Sequence, residues 1–461
     1  MSNSTIISLC KSILSGVALS LVAMTALAQG SASSSSLTGY GINPELPAPE
    51  KKLVPTVNIA PAKGWPANVQ PTPIAGTQVN AFAKDLQHPR WLYLLPNGDV
   101  LVAESNAPAK PEADKGFRSW VMGLIMKKAG SAGESANRIT LLRDTDNDGV
   151  ADFSALFLEG LNSPFGMVLV GNNLYIANTD SIMHFTYNTG DTKITSPGTR
   201  LVDLPAGSIN HHWTKNIIAS TDGNTLYATV GSNSNIGEAG MAEEEDRAAI
   251  LEVDISTGKR VIYASGLRNP NGMAWHPATG ELWTVVNERD ELGNDLVPDY
   301  LTSVKKDGFY GWPYSYFGTH IDERVKPQQP DLVARAIVPD YALGAHTASL
   351  GLAWSAGNTL PPQFADGMFI GQHGSWNRKP RSGYKVVFIP FANGKPTGAP
   401  PVDLLTDFVS KDGDAYGRPV GVILDNKGAL LVADDVGNII WRVSAAEDQA
   451  LPEQVSAIIK M

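Results

Sequence analysis

The chain has 461 residues, of which only 18% are charged, with 44 glycines, 31 prolines and a formal net charge of −10. That length holds one large all-β domain or two ordinary ones, and the glycine and proline content suits many short strands joined by turns. The negative balance argues against a nucleic-acid partner or an anionic membrane surface.

The N-terminus has the features of an export signal. Lys11 precedes an apolar run from Ile13 to Ala26, and Ala26-Leu27-Ala28 forms an A-x-A-like cleavage site. The run is too short for a comfortable membrane span, so residues 1–28 are read as a signal peptide and the expected location is the periplasm, with no integral membrane span after cleavage. Cys10 is the only cysteine and falls within that signal. The mature chain is therefore expected to lack disulfides, thiol catalysis and thiolate metal sites.

Residues 29–75 are rich in Ser, Pro and Ala and read as a linker or loosely held arm ahead of a domain spanning 76–461. Within that domain a unit recurs: a small turn containing Gly or Asn, followed by an apolar strand. It appears at Pro96–Ala103, Gly171–Ala177, Asp222–Ala228, Ala278–Thr284, Ala365–Ile370 and Asp425–Ala433. Six such units imply radial repetition, and the expected fold is an all-β, six-bladed β-propeller. Ligands in such folds sit where blade loops converge, so long polar loops are where chemistry is sought. One insertion, Phe117 to Lys128, reads as a short amphipathic helix with basic residues toward its C-terminal end.

Four loop segments carry candidate chemistry, the first being Asp144-Thr145-Asp146-Asn147-Asp148-Gly149-Val150-Ala151-Asp152. It offers oxygen ligands at relative positions one, three, five and nine, with Gly at six, as in a calcium loop. Position twelve is Ala155, so the bidentate acid of a full EF-hand is missing and a structural calcium ion on Asp144, Asp146, Asp148 and Asp152 is expected. The second segment, Asn210 to Asn216, holds the adjacent pair His211-His212 in a chain with 8 histidines. Neutral imidazole is the usual general base near neutral pH.

The third segment, Ala264 to Trp275, sets Arg268 beside Asn269, ahead of Pro270 and Gly272. It reads as a stiff turn presenting a five-donor cation and an amide, suited to an anionic, planar, oxygen-rich ligand such as a carboxylated quinone. The alternative is a corner whose arginine pairs with a neighbouring acid. The fourth, Asn287 to Asp295, is an oxygen-rich loop of the kind a hard cation prefers. Polar tracts at Ala345–Ser349, Gly371–Arg378 and Tyr416–Gly421 lie at predicted strand ends.

Taken in order, His211-His212, Gly266 to Gly272, Asn287-Glu288, Tyr310-Gly311-Trp312-Pro313 and Gly417-Arg418 resemble the soluble quinoprotein sugar dehydrogenases, the L-sorbosone dehydrogenase type above all. The resemblance covers roughly Val79 to Ala445. It implies a propeller that binds pyrroloquinoline quinone (PQQ) and Ca²⁺ on its axial face and oxidises a sugar aldehyde or aldose. A separate electron acceptor is implied as the partner. By that likeness His212 is the base and Arg268 steadies the quinone oxygen. Arg268, Asn269, Asn233, His346, Arg378 and Arg418 hold the cofactor, and carbonyls around Asp290 and Glu291 ligate its calcium.

The chain departs from the family pattern at several positions. His211 stands where sugar-oxidising relatives carry an acid, Asn216 where they carry a basic residue, and Val420 where a second arginine follows Arg418. Near Gly374 an expected lysine is missing, with Arg378 as its substitute. The alternatives are a calcium-dependent propeller lactonase and a non-catalytic ligand-binding propeller.

Overall fold

The computed structural model describes residues 38–50, 56–108, 128, 130 and 133–446. The expected signal peptide and residues 117–127 of the expected amphipathic helix lie outside the described residues.

Six antiparallel sheets form the blades of a β-propeller, each built on four strands, a to d, from the axis outward. In blade 1 these are Pro89–Leu94, Val100–Glu104, Arg138–Arg143 and Phe153–Leu158. Blade 2 has Met167–Val170, Asn173–Ala177, Ser181–Thr186 and Thr199–Asp203, and blade 3 has Ile217–Ala219, Thr225–Val230, Ala249–Asp254 and Arg260–Ser265. Blade 4 comprises Asn269–Trp275, Leu282–Asn287, Pro298–Ser303 and Tyr341–Ala345. Blade 5 comprises Ser349–Trp354, Gly367–Gln372, Lys385–Ala392 and Val402–Thr406. Blade 6 takes Pro419–Leu424, Leu430–Asp434 and Ile439–Ala445 from the C-terminal end, and Thr77–Ala83 from the N-terminal end as its strand d. That last pairing closes the ring.

Each of the six turn-and-strand units in the sequence is the a–b turn and strand b of one blade. Strand b is covered on both faces by neighbouring sheets, so Val100–Glu104 and Leu430–Asp434 are buried at every position. The apolar core is correspondingly divided into six layers, one between each pair of adjacent blades. Phe369, Phe388, Leu430 and Trp441 fill the layer between blades 5 and 6, and Phe82, Leu92, Val102 and Ile440 fill that between blades 6 and 1. Each large side chain so buried contributes roughly 1.5–3 kcal/mol.

The Arg268–Gly272 tract differs from its sequence reading. The turn lies one step earlier, at Gly266 with φ +73°, and Asn269–Trp275 is the innermost strand of blade 4, bulged between Pro270 and Met273. Gly272 serves close packing: a Cβ there would lie 2.7 Å from the carbonyl oxygen of Leu350 on the next blade. Equivalent irregularities break strand a of blades 1, 5 and 6, just after it leaves one face of the ring.

The described part of the segment before residue 76 is pinned to the ring. Tyr40–Gly41 extends the outer edge of blade 4, Thr72–Pro73 extends that of blade 5, and Trp65 Nε1 donates to Asp434 of blade 6 at 2.6 Å.

Candidate functional site

Strand a begins and strand b ends on the same face of each blade, because the two run antiparallel. Pro89 thus pairs with Glu104, Asn269 with Asn287, Ser349 with Gln372 and Pro419 with Asp434. The residues just outside these pairs converge at one mouth of the ring, and most of the polar candidates belong to them.

His212 precedes strand a of blade 3 and is half-buried. Its Nδ1 lies 2.7 Å from the Ser232 carbonyl oxygen, which can only accept, so Nδ1 carries the proton and Nε2 keeps a lone pair. Burial, then the charges of Arg268 and His211, hold its pKa well below the ordinary imidazole range. The imidazole is therefore a neutral acceptor at neutral pH. Ser232 N–H in turn donates to the Arg268 carbonyl at 2.8 Å, so one residue fastens both.

The Arg268 guanidinium is buried and fully directed. Nη1 donates to the Glu288 carbonyl at 2.6 Å, Nε and Nη2 to the backbone and side-chain oxygens of Asn235 at 3.3 and 3.0 Å, and Nη2 to Asp290 at 3.3 Å. Asp290 also accepts from Asn377 Nδ2 at 2.7 Å and pairs with His346 Nδ1 at 3.2 Å. Burial opposes its charge, but His346, Arg268 and Asn377 overcome that and hold the carboxyl below the usual range. His346 moves the other way: burial lowers its pKa, Asp290, the Gly293 carbonyl and Asp299 together raise it by more, and the net shift is upward. Asn269, on blade 4, is buried with Oδ1 unpaired among the described residues.

A second cluster completes the mouth across blades 5, 6 and 1. Asp435 accepts from Arg90 Nη1 and from His373 Nε2, the latter at 2.8 Å, with His88 at 3.7 Å. Burial pushes His373 down to about 4, so it is neutral, while Asp435 stays ionised beside Arg90 and the histidines. Arg418 is buried nearby, with its guanidinium 5.0 Å from the Tyr384 ring centroid and Nη2 on the Ala60 carbonyl. Arg90 Nε and Arg418 Nε have no acceptor among the described residues.

The structure thus brings together His212, Arg268, Asn269, Asp290 and His346. It sets other expected residues elsewhere. Asn233 turns its amide to the Glu243 carbonyl at 2.7 Å, and Arg378 lies on the rim, bonded to Asp295 and the Asn294 carbonyl. Glu291 is exposed with φ +72° and borders a cleft of about 650 Å³ whose walls include Tyr316, Arg324, Trp376 and Asn377. Neither His212 nor Arg268 lines that cleft, which reaches the site through Asn377.

The calcium candidate at Asp144, Asp146 and Asp148 gathers oxygens within 4.8 Å of one another. It follows strand c of blade 1, which places it on the opposite face of the ring from the mouth. There Lys427 Nζ already donates to Asp144 at 3.2 Å and to the Asn147 carbonyl at 2.8 Å. Asp152 is outside the group, bonded instead to Thr145.

Sequence reasoning missed Asn235, which brackets Arg268 and Asp290, and Arg90, which follows an ordinary-looking His88-Pro89. It also missed Lys215. Asn216 stands where a basic residue was expected, and the buried cation is one position earlier, with Nζ 3.1 Å from the His212 carbonyl. Burial drives that ammonium's pKa well down.

An uncharacterised protein of Borreliella burgdorferi is 29% identical over 294 residues, covering 61% of this chain and 76% of the relative. A pyrroloquinoline quinone-dependent pyranose dehydrogenase of Coprinopsis cinerea is 26% identical over 292 residues, covering 50% of this chain and 39% of that protein. The chain thus spans well under half of the fungal relative's length. The holo form of the PQQ domain of pyranose dehydrogenase from Coprinopsis cinerea superimposes with a TM-score of 0.65 at 20% identity, over 84% of this chain and all of that one. This likeness is one of fold. The sequence profile of the TrAA12-like family matches residues 133–307 and 324–446, leaving 308–323 between the matched stretches. With well over half of its residues matched, the chain belongs to the TrAA12-like family.

Proposed function

We propose that this protein is a PQQ-dependent dehydrogenase of the periplasm that oxidises a sugar aldehyde, as its hydrate, or an aldose, sorbosone-like in kind, and passes electrons to a separate acceptor. The observation that carries the reading is the Ser232 tie. It sets a neutral imidazole with a free Nε2 lone pair beside a buried guanidinium, at the mouth of a TrAA12-like ring.

The donor set suits the cofactor. A planar quinone bearing carboxylates asks for several buried cations and unpaired polar atoms around one opening. Arg90, Arg268 and Arg418 are such cations, with the Nε atoms of Arg90 and Arg418 and Oδ1 of Asn269 unpaired. When bound, the quinone supplies a two-electron acceptor for the hydride of the substrate carbon.

The chain's own residues do the rest. His212 Nε2 takes the proton of the substrate hydroxyl as the carbonyl forms, and the Ser232 carbonyl holds the ring in the tautomer that permits it. Arg268, already fixed by Asn235 and Asp290, supplies preorganised positive charge near developing anionic oxygen. Arg90 and Arg418 anchor carboxylate.

The test is reconstitution of the purified chain with PQQ, followed by dye reduction with aldoses, sorbosone and simple aldehydes. Substrate-dependent bleaching of the dye is expected. No turnover together with no change in quinone absorbance on mixing defeats the reading.

A further inference from the structure

Backbone carbonyls that ligate a divalent cation must aim free lone pairs at an ion 2.3–2.6 Å away in the case of calcium. At the loop expected to do so, a guanidinium already faces them. The Asp290 carbonyl accepts from Arg324 Nη1 at 3.0 Å and from Asn235 Nδ2 at 3.1 Å, which uses both of its acceptor sites. The Glu291 carbonyl lies 3.4 Å from the same Nη1.

Arg324 is not a passing surface side chain. Its Nε and Nη2 grip both oxygens of Asp322 at 2.9 and 2.7 Å, the bidentate geometry that a guanidinium favours. Asp322 is wholly buried and shared with Arg289, whose Nη1 lies 3.3 Å away. Arg289 in turn binds Glu288 and the carbonyls of Pro313 and Ser315. The guanidinium is thereby held against the two carbonyls from behind. Asp322 lies near the end of the segment 308–323, which the family profile leaves unmatched, and Arg324 opens the stretch that matches again.

We infer that Arg324 stands in for a metal at the Asp290 and Glu291 carbonyls, as a fixed cation that lets this chain hold its anionic ligand without calcium. The claim about the cation stands on geometry alone; the claim about the ligand rests on the quinone reading above. Replacing Arg324 by a small residue frees one acceptor site on the Asp290 carbonyl and removes the guanidinium from that of Glu291, beside the Asp290 carboxylate, a set that a calcium ion can then enter.

Calcium uptake by the full chain, read by titration calorimetry, tests the first claim in an Asp144→Asn/Asp146→Asn background that removes the turn on the opposite face. The parent and Arg324→Lys are expected to take up no calcium, and Arg324→Ala one ion per chain. Uptake by the parent, or none by a folded Arg324→Ala chain, overturns the inference. PQQ binding, followed by tryptophan quenching, tests the second. The parent's affinity is expected to be the same in EGTA and in calcium. That of Arg324→Ala should fall about tenfold in EGTA and recover in calcium. Parental affinity that collapses in EGTA also overturns it. If no variant binds the quinone while the calcium results hold, the quinone reading fails and the Arg324 assignment stands.

Discussion

His212 and Arg268 are joined through a single residue: Ser232 accepts from His212 Nδ1 at 2.7 Å and donates its N–H to the Arg268 carbonyl at 2.8 Å. The base and the cation come from the approaches to two adjacent blades, yet neither can shift without moving the end of strand b between them. That coupling also bears on the protonation state. Desolvation first, and then the nearby cation, disfavour a positive charge on the imidazole, so the ring is a neutral acceptor.

Replacing His212 by Gln should lower turnover by roughly 100- to 10,000-fold while leaving PQQ affinity within a few-fold, since general-base catalysis is worth about that much. The pH profile sharpens the test. The base acts when neutral, so kcat/KM should fall as pH drops through a value below 6.5, the ordinary imidazole pKa. In Arg268→Gln the guanidinium's contribution vanishes, and the acid limb of the residual activity should move upward. An acid limb that stays in place would show that the two charges are not coupled.

Gly231 lies where the two halves meet. A Cβ there would come within 2.3 Å of Asn269 Oδ1 and 2.5 Å of His212 Cβ. Gly231→Ala should therefore push the base and the amide apart, with a loss of roughly 100-fold in kcat/KM for a displacement near 1 Å. The overpacking should cost about 1–3 kcal/mol in denaturant unfolding. A variant with parental kinetics would place the reacting groups elsewhere.

Ring closure makes its own prediction. Phe82 is on the N-terminal strand that completes blade 6, and it packs with Leu92 and Val102 of blade 1 and Ile440 of blade 6. Phe82→Ala should destabilise the whole ring by about 3 kcal/mol, measured by denaturant unfolding, because it removes a buried aromatic from the closing layer. An unchanged midpoint would mean that the layer does not carry closure.

The propeller was legible because strand b of every blade is buried on both faces, so each leaves an apolar run behind a Gly or Asn turn. Strands c and d, half-exposed in places such as Phe153–Leu158, leave no comparable trace. At the mouth, His212 and Arg268 stood out as unusual residue types in short tracts. Asn235 and Arg324 did not, because their roles come from meeting Asp290 across 55 and 34 positions of sequence. The arm before residue 76 was illegible for a similar reason. Trp65 is held by Asp434, 369 positions away, and no local pattern announces that bond.

Asp290 gives the last prediction, through pH. Its carboxyl is held below its ordinary value of 3.8, since His346, Arg268 and Asn377 outweigh the burial that opposes its charge. A depressed carboxyl contributes stability above its unfolded pKa and loses it as pH falls toward the folded one. His346 is raised above 6.5, so its share is full below 6.5 and is lost as pH rises through the folded value. The pair therefore stabilises the ring most between pH 3.8 and 6.5. Asp290→Asn should cost about 2 kcal/mol in that window. This is less than a fully buried pair would lose, because the Asp290 side chain remains 20% exposed. The difference should shrink toward both acid and alkaline pH, as either partner discharges in the parent. Denaturant midpoints collected from acid to alkaline pH decide it: a constant gap between variant and parent would show that the pair contributes packing and not charge.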